Sequence, residues 1–483
     1  MNRRFFLGAG GASFAAATLV ARKSFGAAAG ARPRPSPQQL AWQRDELAMF
    51  VHLTVNTFTG KEWGDGAELP RIFDPARLDA RQWARTARAA GFRSMILTAK
   101  HHDGFCLWQT ATTGHSVRNS PWRDGKGDVV REFVDACRAE NLGVGLYLSP
   151  WDRHEPRYGS GKDYNDFYLA QLTELLTGYG PLVEIWFDGA NGEGPDGRHQ
   201  RYDWPRIHST VRRLQPNAVM FSDAGPDVRW IGNESGSAGE TCWAQVDPKS
   251  VPEPGYSRPG VEEALQQGDP HGSVWRPGEA DVSIRPGWFW HAAEDDKARS
   301  AENLLELYFN SVGRNAKLLL NVPPTREGLF HDNDVRALGE FARRRDALFA
   351  RNLLVGARVR ANAQAHGHPA SSVLDGAADS YWSVGGEARS GWIEFELPGP
   401  IEFDVLRLQE AIAFGQHIAN YRAEYRQDGV WRPLARGTTI GCQKLDRFAP
   451  VSTDRLRISI DFAYATPRLC TVAAYRSGVD VRR

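Results

Sequence analysis

Cysteine is scarce and unpatterned in this chain: Cys106, Cys137, Cys242, Cys442 and Cys470 are five residues in 483, odd in number and scattered. Such spacing supports neither a disulfide framework nor a paired-cysteine metal site, so all five read as buried free thiols. An excess of either charge is lacking too. Fifty-nine Lys plus Arg stand against 58 Asp plus Glu, a formal net charge of +1, which leaves no electrostatic footprint for nucleic acid or an anionic membrane. Beyond the amino terminus no apolar run approaches the length of a membrane span. What the chain has instead is 16 Trp and 48 Gly. Most Trp belong in cores, and any that remain offer the flat apolar faces on which proteins hold sugar rings.

The amino terminus stands apart from the fold. Arg3 and Arg4 precede a small-residue apolar run, Gly8 to Ala21, and then the cluster Ser24 to Gly30. This pattern resembles a twin-arginine export signal covering residues 1–31. It implies a mature protein that is periplasmic or secreted. A membrane anchor is the alternative, but the run is short and rich in Gly and Ala.

From residue 32 to 353 strand-like and helix-like segments alternate, the mark of stacked βα units. The strands are expected at Met49–Asn56, Arg93–Lys100, Gly143–Pro150, Val183–Gly189, Ala218–Ala224, Arg229–Asn233, Asp281–Arg285 and Lys317–Val322. Amphipathic stretches such as Ala80–Ala90, Val129–Glu140 and Asn165–Tyr179 lie between them. The fold class is therefore α/β, a (β/α)8-type barrel, irregular in its second half. Ser235 to Gly278, rich in Gly and Pro, reads as a long functional loop or lid. Residues 354–483 switch to short alternating segments without helical period and read as a C-terminal all-β sandwich.

In such a barrel the carboxyl ends of the strands build the active site, which singles out Asp188, closing the apolar run Val183-Glu184-Ile185-Trp186-Phe187. A surface turn is the plain alternative for this Asp. His52, Glu62, Trp63, His101, His102, Tyr147 and Trp186 crowd neighbouring strand ends, a mixture of hydroxyl-bonding groups and aromatic faces that suits a polyhydroxylated ligand. A metal centre on His52, His101, His102 and Asp188 is the rival. It is weakened by the adjacency of His101 and His102, since successive strand residues face opposite ways unless the strand end bends.

Lys100-His101-His102-Asp103-Gly104-Phe105-Cys106-Leu107-Trp108, with Trp186-Phe187-Asp188-Gly189 downstream, resembles the α-L-fucosidases of glycoside hydrolase family 29 over residues 40 to 345. The resemblance implies a retaining hydrolase without a cofactor or catalytic metal, acting on fucosylated glycans. Asp188 would be the nucleophile, and His52, Glu62, Trp63, His101, His102, Tyr147 and Trp186 would hold the fucose ring. Retention needs a second carboxyl group about 5 to 5.5 Å from the nucleophile. Glu234, closing a strand-like run, is the first choice, with Glu193, Glu240 and Glu279 as rivals. Its position, together with Asn191-Gly192-Glu193-Gly194 and Ser222-Asp223-Ala224-Gly225-Pro226-Asp227, resembles the subgroup preferring α-1,3/1,4-linked fucose. In that subgroup the region of Glu279, Asp281, Arg285, Trp288 and Trp290 contributes to the aglycone side. Trp290 would wall off the fucose methyl group, unless it packs the barrel exterior. Arg229 would reach the sugar, or else form a structural ion pair.

In the terminal domain, Val373-Leu374-Asp375-Gly376, Tyr381-Trp382-Ser383, Trp392-Ile393-Glu394-Phe395-Glu396-Leu397 and Gly415-Gln416-His417-Ile418 resemble a discoidin, or coagulation factor type C, module. Such a module either binds sugar or braces the barrel. Two functions from different classes stand at this point: an α-L-fucosidase, or a glycan-binding barrel without catalysis.

Overall fold

The computed structural model describes residues 32–478; the export signal read at residues 1–31 lies outside the described residues. Helix α1 (Pro37–Arg44) opens on a capping box, the Ser36 hydroxyl accepting from Gln39 N and the Gln39 side chain accepting from Ser36 N. Eight parallel strands follow: β1 (Leu47–Val51), β2 (Ser94–Lys100), β3 (Gly143–Leu148), β4 (Glu184–Trp186), β5 (Val219–Ser222), β6 (Val228–Trp230), β7 (Gly278–Ser283) and β8 (Ala316–Asn321). Each pairs with the next, and β8 returns to β1 to close the barrel. Strands such as β2, SMILTAK, are buried along their whole length, as strands must be with helices on one side and a filled barrel on the other. Helices Ala80–Ala89 and Val129–Ala139 start on Asp79 and Asp128, whose carboxylates accept first-turn N–H groups, and bury faces carrying Trp83 and Phe133.

Each expected strand corresponds to a barrel strand, with shifted ends that matter. The first stops at Val51 because Thr54 caps a one-turn helix, Val55–Thr59. The sixth ends at Trp230, and Gly232, with φ of +84°, turns the chain away, so Glu234 follows the strand instead of closing it. The seventh begins at Gly278 and pairs with β8 from there. The irregular second half is real. The 223–227 turn alone joins β5 to β6, and the segment read as one long loop holds a ribbon (Gln245–Val246 with Val274–Trp275) and a helix, Val261–Gln267.

Helix Asp332–Phe349 completes the barrel, and from Arg358 the chain is antiparallel. Two 20-residue strands, Gly391–Glu410 and Lys444–Ala463, bend at register shifts and fold the sheet into a sandwich around Trp382, Phe395, Leu406 and Ile458. Gln416 joins it to the barrel. Fully buried, it accepts from Ala244 N at 2.7 Å and donates to Cys242 O at 3.1 Å, while its carbonyl accepts from Gln245 Nε2 at 3.0 Å. The module therefore braces the barrel. All five cysteines are free, and among the described residues no helix is long and apolar enough to cross a membrane.

Candidate active site

Alternation along β4 decides which side chains reach the barrel mouth. Ile185 and Phe187 pack outward with the helices, while Trp186 packs inward with Phe50, Tyr147 and Phe221. Asp188, two residues further on, stands above Trp186 at the mouth. Its Oδ1 accepts from Ala190 N at 2.7 Å and its Oδ2 from the Tyr147 hydroxyl at 3.2 Å, with His102 Nε2 3.8 Å from the same oxygen.

His52, His101 and His102 flank this carboxylate as a buried cluster, with ring centroids 5.4 Å apart for His52–His101 and 4.1 Å for His101–His102. The adjacent pair shares one side because the chain turns straight after β2, Gly104 N donating to His101 O. Burial lowers all three imidazole pKa values, that of His52 to about 3, so each ring is neutral and offers one donor and one acceptor. His52 Nδ1 lies 2.8 Å from Asn321 Oδ1 and His102 Nδ1 lies 2.7 Å from Ser149 Oγ. Among the described residues His101 Nδ1 is buried with no partner, the kind of orphan that a ligand hydroxyl satisfies. Among the described residues no three His, Cys, Asp or Glu side chains are grouped to hold a metal ion.

On the other side of Asp188 opens a cavity of about 460 Å³, lined by Trp186, Trp230, Glu234, Tyr256 and Asp281 among others. Glu234 sits at its rim, Oε2 accepting from Trp288 Nε1 at 3.3 Å. Partial burial, and then the negative charges of Asp188 and Glu62, push its carboxyl above the ordinary range. Glu62 in turn holds Trp288: it accepts from Trp288 N at 2.8 Å and meets His291 Nε2 at 2.7 Å, and the Trp288 ring packs 5.2 Å from His52. Trp63 is exposed and edge-on to Trp151, which packs on His102. Part of the expected lid borders the same cavity. Asp223 accepts from Gly255 N at 2.8 Å, and a Cβ at position 255 would meet Gly189 O at 2.7 Å, so only glycine lets this loop come so close to the Asp188 turn.

Three expected contacts fall elsewhere. Glu279 is fully buried inside the barrel, below the cavity, bound to Trp186 Nε1; with β7 starting at Gly278, it becomes an interior strand residue. Arg229 faces outward between inward-facing Val228 and Trp230, donating to the carbonyls of Leu265 and Arg276 and to Cys242 Sγ. Nor does it form an ion pair with any described residue. Trp290 donates to Asp295, in the cluster that Asp295 forms with Arg285, and Trp288 takes the place beside the imidazoles. Of the rival acids, Glu240 is solvent-exposed and 4.0 Å from Arg314, and Glu193 offers its carbonyl to Trp151 Nε1. Asp281, expected in the region of the aglycone side, lines the cavity. Alternation from Gly278 turns it inward, where it accepts from Trp230 Nε1 at 2.6 Å and burial pushes its carboxyl up to about 8.

Carboxyl groups and aromatic faces lining an open cavity on one side of Asp188, and neutral imidazoles on the other, all at the strand ends of a β/α barrel, are the arrangement of a glycoside hydrolase. A family profile described as Alpha-L-fucosidase matches residues 39–343, and one described as F5/8 type C domain matches residues 358–468. The chain is 46% identical over 455 residues to the putative alpha-L-fucosidase 1 of Oryza sativa subsp. japonica, covering 93% of this chain and 86% of the relative. A crystal structure of a putative alpha-L-fucosidase from Bacteroides thetaiotaomicron matches with a TM-score of 0.86 at 39% identity, over 92% of this chain and 98% of that one. A Ruminococcus gnavus GH29 fucosidase in complex with fucose matches with a TM-score of 0.86 at 33% identity, over 94% and 98%. The chain belongs to the alpha-L-fucosidase family of glycoside hydrolases. It is an enzyme, which displaces the reading of a barrel without catalysis.

Proposed function

We propose that this enzyme is a retaining exo-α-L-fucosidase that removes terminal α-1,3/1,4-linked fucose from branched, Lewis-type glycans by double displacement. The observation that carries the reading is that Asp188 and Glu234 line one cavity in unlike surroundings. Both Asp188 oxygens meet donors, whereas Glu234 has its carboxyl pushed up towards retention of its proton, the division that a nucleophile and a general acid require.

An Asp188 oxygen attacks the anomeric carbon while Glu234 gives its proton to the departing glycosidic oxygen, so the C–O bond breaks as the fucosyl–Asp188 bond forms. Glu234, now ionised, takes a proton from water attacking the same carbon. Asp188 is released as a carboxylate and fucose leaves with its anomeric configuration retained. The neutral imidazoles of His52, His101 and His102 bond the ring hydroxyls, and Trp186 and Trp288 supply apolar faces for its C–H surface and methyl group. The linkage preference is supported by the position of Glu234 and the Asn191-Gly192-Glu193-Gly194 text. The Arg3-Arg4 leader supports export to the periplasm or the medium.

Fucose release from a Lewis trisaccharide, compared with α-1,2- and α-1,6-linked fucosides and followed by NMR, tests the reading. The branched substrate should be cleaved fastest, with α-fucose appearing first, and Glu234→Ala should lower turnover by about 10² to 10⁴-fold. β-Fucose as first product, or equal rates on α-1,2-linked fucose, would contradict it.

A further inference from the structure

Beneath the sugar pocket lie two carboxyl groups that the displacement steps do not use. Glu184 on β4 and Glu279 on β7 are fully buried inside the barrel. Glu184 Oε2 accepts from Trp42 Nε1 of α1 at 2.9 Å, and Glu279 Oε1 accepts from Trp186 Nε1 at 2.9 Å. Their remaining oxygens, Glu184 Oε1 and Glu279 Oε2, find no donor among the described residues, yet the two side chains lie within hydrogen-bond reach of each other. Two carboxylates only repel at that range, whereas a carboxyl group donates to a carboxylate, so one proton between them satisfies both orphaned oxygens. A shared proton also lowers the negative charge in a place where the one buried cation acting on both groups, Lys317 on β8, already lies 3.9 Å from Asp45.

The partner that links this pair to function is Trp186. Its ring stacks on Phe221 with centroids 4.1 Å apart and planes 9° apart, and it lines the catalytic cavity two residues before Asp188. Stacking fixes the distance between two parallel rings but leaves them free to slide; a directional bond removes that freedom. The only hydrogen bond of the indole among the described residues is the one to Glu279.

We propose that Glu184 and Glu279 are a proton-sharing pair that fixes Trp186 as the floor of the fucose pocket. Glu279 is thus a positioning residue, touching the ring that touches the sugar. This inference rests on the pocket beside Asp188 being the fucose site.

The test compares Glu279→Gln, Glu279→Asp, Trp186→Phe and the Trp186→Phe/Glu279→Asp double variant by kcat, KM and thermal midpoint on the fucosylated trisaccharide. Glutamine keeps an acceptor for Trp186 and a donor for Glu184, so Glu279→Gln should stay within about threefold of wild type, the loss of a neutral bond being the larger effect. Aspartate withdraws the acceptor by one methylene, so KM should rise about tenfold with kcat changed much less. In the Trp186→Phe background, where the indole N–H is gone, Glu279→Asp should add nothing further. Equal impairment by Gln and Asp, or multiplying effects of Trp186→Phe and Glu279→Asp, overturns the proposal. If Trp186→Phe leaves KM untouched, the placement of fucose over Trp186 fails instead, and the two failures are told apart.

Discussion

Asp281 offers a test in which structure fixes both sign and size. Its carboxyl is buried at the cavity wall, accepting from Trp230 Nε1, with Glu234 and Asp188 as acidic neighbours, and burial raises it from 3.8 to about 8. The folded protein therefore holds this proton more tightly than the unfolded chain does. Stability contributed by the group is complete below the unfolded value, falls as pH rises between the two values, and stays low above the folded one. At about 1.4 kcal/mol per pH unit, the loss by pH 7 is about 4 kcal/mol at most, and relaxation of the site brings it to about 2 kcal/mol. Asp281→Asn keeps an oxygen for Trp230 and has no proton to lose. Its thermal midpoint at pH 8 should exceed that of the wild type by about 3 °C, using about 2.1 cal/mol/K per residue over the barrel, and the gap should close towards pH 4. Turnover at pH 6 to 7 should change little, because the amide imitates the protonated acid. An Asn variant destabilised equally at pH 5 and pH 8 would refute this, since it would mean that the native site uses the charged form.

Further outcomes follow from the rim of the cavity and from the domain junction. Glu62→Gln removes one of the negative charges that raise Glu234, so Glu234 loses its proton more readily and the alkaline limb of the kcat/KM profile should move to lower pH; an unmoved limb would detach Glu62 from the acid. Gln416→Ala strands Ala244 N inside the junction, while Cys242 O keeps its bond from Asn315 Nδ2. At about 1 to 3 kcal/mol per buried unpaired group, it should lower unfolding stability clearly, as read by urea titration, while kcat stays within about twofold for a residue outside the cavity.

The barrel was legible because buried parallel strands are written as largely apolar runs between turn residues, and Val183 to Phe187, interrupted by Glu184 alone, is such a run. Asp188 was legible for the same reason, as an acid where the run stops. What failed was resolved at the scale of single residues. Starting the seventh strand at Asp281 instead of Gly278 left Glu279 in a loop, although the inward–outward alternation that puts Asp281 in the cavity puts Glu279 one layer below it. The same alternation separates Arg229 from Trp230, which cannot both face the sugar. Trp288 and Trp290 are indistinguishable by type and spacing; Glu62, 226 residues before Trp288, and Asp295, five residues after Trp290, decide between them. The bracing role of Gln416 was likewise invisible, because its partners lie some 170 residues earlier.

The central claim is that Asp188 forms a covalent bond to fucose. Incubation with a 2-deoxy-2-fluoro-fucosyl donor carrying a good leaving group, followed by peptide mapping in a mass spectrometer, tests it most directly. The account expects one fluorofucosyl adduct on the peptide containing Asp188, absent from Asp188→Ala. An adduct on any other side chain, or rapid turnover of the wild type with no adduct at all, would contradict it.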